Sequence, residues 1–127
     1  SGWLTQLPAP YFATASQKII DVMKDCTIKG ITISASGFYG PQGRVLRLPL
    51  AIPDMINRFE TFNYNGNKIT NFEMEGSAIA GLSALLGHDA ATVCCIIANR
   101  HLHESQPDYK NFIKKLVELS LDRLIKL

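Results

Sequence analysis

The chain has 127 residues, 46% hydrophobic and 19% charged, a balance that excludes general disorder and fits one globular domain. Lys plus Arg is 13 and Asp plus Glu is 11, and a net charge of +2 is too even for an electrostatic nucleic-acid binder. No apolar run reaches the roughly 20 residues of a membrane helix, and residues 1–14 show no pattern of a secretory signal, so neither a membrane span nor a leader is expected. The chain does not begin with Met, which allows both a complete small domain and a piece of something larger.

Residues 11–25 read as a helix, with Ile19, Ile20, Val22 and Met23 forming an apolar stripe between Lys18, Asp21 and Lys24. Residues 26–36 alternate β-branched side chains in the manner of a strand. Residues 37–49 hold three glycines and two prolines, so they form a loop rather than a regular helix. Residues 52–62 can hold a short helix, with Pro53 in its first turn. Asn65-Gly66 is a hairpin turn signal, followed by a short strand over 69–74. Residues 75–86, rich in Ala and Leu, predict a tightly packed helix closed by Gly87. Residues 90–98 are almost wholly apolar and predict a central strand covered on both faces. Residues 100–107 read as a polar loop. The terminal helix, 108–127, sets Phe112, Leu116, Leu119 and Leu124 against Lys114, Lys115, Glu118 and Asp122. The order predicts a layered α/β/α arrangement with a mixed, partly parallel sheet.

Cys26, Cys94 and Cys95 are odd in number and lack CxxC spacing. They read as small core hydrophobes in a reducing compartment, not as a disulfide or zinc framework. His88, His101 and His103 have no metal-ligand spacing, so no metal is expected.

Ligands of open α/β sheets bind beyond the carboxyl ends of the strands. Three polar segments follow the three predicted strands. In the first, Phe38 precedes Gln42 and Arg44, an amide and a guanidinium two residues apart on a glycine-framed loop. An amide donates and accepts, and a guanidinium donates a rigid fork, a pair suited to the carbonyl, NH and carbonyl edge of uracil. A solvated surface loop is the alternative. In the second, Glu73 and Glu75 bracket Met74. A carboxylate can accept from two vicinal hydroxyls of a ribose, and it is equally at home at a helix N-terminus. That helix-start explanation covers Glu75 better than Glu73. In the third, Arg100 follows an apolar strand, placed for an anion or a carbonyl oxygen; a plain surface Arg is the alternative.

Taken together, the segments resemble a known family. Phe38-Tyr39-x-x-Gln42-x-Arg44 is similar to the pyrimidine loop of uridine phosphorylases, in the nucleoside phosphorylase superfamily. Asn71 to Glu75 resembles the family's ribose-binding Glu-Met-Glu segment, and Ile96 to Arg100 its strand-end Asn-Arg. Gly76 departs from the Ser or Thr common after Glu-Met-Glu. The resemblance implies that Gln42 and Arg44 bind the uracil edge and Phe38 lines the base pocket. It gives Glu73, Met74 and Glu75 the ribose, Ile97 and Ala98 contact with the base, and Arg100 support of Arg44. Gln42, Arg44 and Arg100 are the catalytic expectation. The reaction implied is phosphorolysis of uridine to uracil and ribose 1-phosphate by a pentosyltransferase of pyrimidine salvage, with no cofactor, since phosphate is the co-substrate.

The resemblance reaches across the chain but covers only about the C-terminal half of the family's length. The expectation is therefore that residues 1–127 form the C-terminal part of a single phosphorylase domain, with the N-terminal phosphate-binding half absent. Arg47, Arg58 and Lys68 do not form a phosphate cradle, and there is no phosphate-binding glycine motif. The implied partners are uridine or uracil with its ribose, phosphate through residues outside this chain, and further copies in a dimer-based oligomer, a hexamer by resemblance. Nucleic acid and membrane are not expected, and the implied compartment is the cytoplasm. Two alternatives stay open: a non-catalytic nucleoside-binding or oligomerisation module, and a purine-directed relative, which Asn99-Arg100 disfavours.

Overall fold

The computed structural model describes residues 4–99, 102 and 104–127. They fall into two compact units. The first runs through Ala13 and resumes over Lys29–Ile79; the second comprises Thr14–Ile28 and Ala80–Leu127.

The first unit is built on β1 (Ile31–Ser34), α2 (Met55–Thr61), β2 (Asn63–Tyr64) and β3 (Asn67–Glu73). Its sheet has the order β1-β3-β2. β1 and β3 are parallel, with Thr32 opposite Asn71, Ile33 opposite Phe72 and Ser34 opposite Glu73; an irregularity lies between Ile31 and Thr32. β2 and β3 form the antiparallel hairpin promised by Asn-Gly: Asn65 and Gly66 both take positive φ, 50° and 80°, as a tight two-residue turn requires. Alternation, reset by the irregularity between Ile31 and Thr32, sorts the side chains. Ile33, Ile69 and Phe72 pack beneath Leu4, Ile52, Met55 and Phe59, and α2 lies against β3. Each large side chain buried in this way contributes about 1.5–3 kcal/mol. The opposite set is polar, and Thr32 Oγ1 donates to Asn71 Oδ1 at 2.8 Å across the two strands. The mixed, partly parallel α/β class is as expected.

The second unit contains α1 (Gln17–Met23), β4 (Ala98–Asn99), β5 (Glu104–Ser105) and α4 (Tyr109–Leu124), with α1 packed on α4. The Ser16 N–H donates to Ala90 O at 2.7 Å, and Lys18 pairs with Asp89 at 2.8 Å. α1 carries the predicted apolar stripe but is shorter than the helix expected over 11–25. Tyr11 and Phe12 are drawn into the first unit instead: the Tyr11 hydroxyl meets Ser77 Oγ at 3.0 Å, and Phe12 stacks on Tyr64 at 4.4 Å.

α3 (Gly76–Leu85) passes from one unit into the other. It ends as Gly87 predicts. Gly87 takes φ 75°, its N–H reaches Ala84 O at 3.3 Å, and the His88 N–H reaches Ser83 O at 2.8 Å, the two bonds of a Schellman cap.

Three expectations are corrected. Residues 90–97 form no regular strand; only Ala98–Asn99 pairs, antiparallel with Glu104–Ser105. An apolar run becomes a strand only where another backbone completes its ladder, and no described residue does so here. Nor is α3 tightly packed: Gly76 is its buried residue, while Ile79, Leu82 and Leu85 are exposed. In α4, Leu116 and Leu119 are half-buried, but Phe112 and Leu124 are open to solvent. The three cysteines are half-buried and form no disulfide among the described residues.

Candidate functional site

Because β1 and β3 are parallel and in register at Ser34 and Glu73, the chain leaves both strands at the same end of the sheet. The loop after β1 carries Phe38, Gln42 and Arg44. The turn after β3 carries Met74 and Glu75. The Ala35 N–H, donating to Glu73 O at 2.8 Å, holds the two exits side by side. This is where ligands of parallel sheets bind.

The β1 loop is shaped by its own backbone. Gly40–Gln42 forms one turn of 3-10 helix with Pro41 near its start. Tyr39 O accepts the N–H groups of Gln42 at 3.1 Å and Arg44 at 3.0 Å. Gly43 closes the turn at φ 76°, where a Cβ would lie 2.5 Å from Ile56 Cδ1. The turn buries Gln42, which is only 3% exposed. A buried amide needs partners, and Arg44 Nη1 donates to Gln42 Oε1 at 2.9 Å and also to Phe38 O. The guanidinium lies 3.6 Å over the Phe38 ring, and Tyr39 meets that ring edge-on at 5.3 Å. Three side chains singled out in the sequence thus form one cluster. Arg44 Nε and Nη2 make no bond within it, so those N–H groups remain as donors.

The β3 turn divides its two carboxylates between two jobs. Glu73 Oε2 accepts the backbone N–H of Glu75 at 2.7 Å and that of Gly76, at the start of α3. Glu73 Oε1 accepts from the Ser34 hydroxyl. Ser34 Oγ in turn accepts the Ser77 N–H at 2.8 Å. Burial alone would raise the Glu73 carboxyl. The bonds from Ser34 and from the backbone of Glu75, Gly76 and Met74 outweigh it and hold the pKa below the usual glutamate value. Glu73, not Glu75, is the helix-capping carboxylate, the reverse of what position alone indicated. Glu75 is exposed and makes no side-chain hydrogen bond or ion pair with any described residue. Met74 beside it is 42% exposed.

Ile97 and Ala98 belong to the second unit. With Asn99, Glu104 and Ser105 they line an open depression of about 450 Å³. Arg100 lies outside the described residues. Among the described residues no group of His, Cys, Asp and Glu could hold a metal ion, and no helix is long and apolar enough to cross a membrane.

Sequence reasoning missed Ser34, and it gave Asn71 and Ser77 no role of their own. Asn71 Nδ2 is buried without a hydrogen-bond partner. Ser34 could be found only from the register that sets it opposite Glu73, a contact 39 residues away in sequence.

A cluster of amide, guanidinium and aromatic ring thus lies at the end of the sheet beside the Glu-Met-Glu turn. The family model of the phosphorylase superfamily matches residues 2–127, and the chain belongs to that superfamily. It is also 35% identical, over 81 residues, to a uridine phosphorylase of Thermococcus kodakarensis. That match covers 59% of this chain and 26% of the relative, so the chain spans about a quarter of that protein's length. No solved structure matches.

Proposed function

We propose that the chain provides the base-binding and ribose-binding part of a uridine phosphorylase, a pentosyltransferase that converts uridine and phosphate to uracil and ribose 1-phosphate. The observation that carries this reading is the cluster at the common end of β1 and β3, where Arg44 Nε and Nη2 and the Glu75 carboxylate have no hydrogen-bond partner among the described residues. As the glycosidic bond loosens, negative charge gathers on the leaving uracil. Arg44 Nε and Nη2 would donate to a uracil carbonyl and Gln42 would hold the adjoining edge, and donors aimed there are worth more once the charge has formed. Phe38 would line the base pocket with its position fixed by the guanidinium above it. Glu75 would accept from the ribose hydroxyls beside Met74, while Glu73 holds the turn.

In this reading residues 1–127 are the C-terminal part of one phosphorylase domain, and phosphate is held by residues outside it. Arg58 is already paired with Asp54 at 2.7 Å, in keeping with that division. The enzyme needs no cofactor, works in the cytoplasm in pyrimidine salvage, and assembles from dimers towards a hexamer. A second reading is a module that binds nucleoside without turnover.

Titration of the chain with uridine and uracil, with and without phosphate, tests the reading. A hydrogen bond to a charged group contributes about 1.5–3 kcal/mol, so Arg44→Ala is expected to weaken uridine binding by roughly tenfold to a hundredfold. Equal affinity in the variant, or no preference for uridine over adenosine, overturns the assignment. Uridine cleavage by the chain in the presence of phosphate would refute the binding-only module and the placing of the phosphate site elsewhere.

A further inference from the structure

We propose that Asn65 is a site of spontaneous covalent modification, where the side-chain amide is lost as ammonia and the main chain is rerouted through an isoaspartyl link. The site lies at the tip of the β2–β3 hairpin, at the opposite end of β3 from the nucleoside cluster, and is independent of that reading. Asn65 is the one asparagine of the chain followed by glycine; the others precede Arg, Tyr, Lys or Phe. The next backbone nitrogen reaches an asparagine Cγ most readily when its own residue has no side chain to crowd the approach, as in glycine. Asn65 and Gly66 are both exposed, and a Cβ built on Gly66 would meet nothing within 4 Å. Asn65 O accepts from Asn67 Nδ2 at 3.2 Å, but the Asn65 side-chain amide makes no hydrogen bond with a described residue, so nothing anchors it away from Gly66. Asn65 is also the one non-glycine at positive φ among the described residues, at 50°, a region that side chains disfavour.

The step needs only water and base. The Gly66 nitrogen gives its proton to hydroxide and bonds to Asn65 Cγ. The Cγ–Nδ2 bond breaks, and the departing nitrogen takes a proton from water and leaves as ammonia. A water molecule then opens the resulting cyclic imide. Attack at the side-chain carbonyl gives an ordinary aspartyl peptide; attack at the main-chain carbonyl leaves the chain running through Cγ, one methylene longer. The fold also supplies a brake. Gly66 N–H donates to Asn63 Oδ1 at 3.0 Å, so the attacking nitrogen is held by a neighbour and is released only when the turn opens. An extra methylene does not fit a two-residue turn, and the isoaspartyl form should lose the pairing of Asn63 with Lys68 and of Tyr64 with Asn67. Phe12, stacked on Tyr64, would lose its partner with it.

Prolonged incubation of the folded chain at mildly alkaline pH, followed by proteolysis and mass spectrometry, is the test. The peptide holding Asn65 is expected to become about 1 Da heavier and to split into aspartyl and isoaspartyl forms, while peptides holding the other asparagines stay as they were. The converted chain carries one more negative charge and separates on ion exchange, and its isoaspartyl fraction should exchange the amides of β2 and the start of β3 faster. Asn63→Ala releases the brake and is expected to speed conversion roughly twofold to tenfold. Asn65→Gly keeps a residue suited to positive φ, removes the amide and should show no conversion. A folded chain whose Asn65 stays intact while the chain unfolded in guanidinium converts completely overturns the proposal. Conversion at another asparagine as fast as at Asn65 overturns the assignment of the site. An N63A chain that converts no faster than the unaltered one overturns the role given to the Gly66 N–H bond.

Discussion

The Ser34 hydroxyl donates a hydrogen bond to Glu73 and accepts one from the Ser77 N–H, so one small side chain ties the end of β1 to the turn after β3 and to the first turn of α3. Without it, Glu73 would keep its backbone donors but lose the bond that most lowers its pKa, while burial would go on raising it. Ser34→Ala is therefore expected to move the Glu73 carboxyl upward, read by carbon-detected NMR titration, and to cost about 1 kcal/mol of stability in a urea melt. The sign of the pH dependence follows from the direction of the shift. A carboxyl held below its ordinary value stabilises the fold at pH values above that value, and the contribution disappears as pH falls through the lowered one. In the unaltered chain, acid should thus loosen the β3 turn, and the variant should show less of that acid sensitivity. An unmoved Glu73 titration in Ser34→Ala would mean that the backbone cap alone sets its charge.

At the scale of elements, the features that could be read in advance are those whose causes are local. The Asn65-Gly66 hairpin, the α2 segment after Pro53 and the Gly87 terminus each depend on residues within a turn or two of one another. The site was legible to the same extent: Gln42 and Arg44 stand two residues apart, and their loop is shaped by its own glycines and proline. What could not be read depends on contacts distant in the chain. The polar set Thr32, Ser34, Asn71 and Glu73 exists only because two strands separated by α2 pair in one register. Residues 90–97 carry a strand composition without a strand, since composition does not specify a ladder partner. That Glu73 rather than Glu75 caps α3 was hidden for the same reason, as the cap geometry depends on where the turn after β3 points. The Gly87 terminus can be tested by itself. A Cβ there would meet open space, so Gly87→Ala meets only the strain of a left-handed backbone, about 1 kcal/mol. Gly87→Asn should recover part of that loss, and the His88 amide should exchange faster in the Ala variant. Equal stability of all three chains would show that the Schellman cap does not hold the end of α3.

At the scale of the whole chain, the two units differ in what holds them. Leu4, Ile52, Met55 and Phe59 form a buried cluster in the first, under a parallel pair of strands. Met23 is the buried apolar side chain among the described residues of the second, and α4 contributes none. A helix without a buried face draws little stability from packing, and isolated helices of this length are marginal in water. Native-state hydrogen exchange should therefore separate the chain into two levels. Amides of β1 and β3 should exchange only through opening of their unit, and those of α4 through smaller and cheaper openings. If α4 were protected as well as β1, the helix would owe its stability to more than its packing on α1.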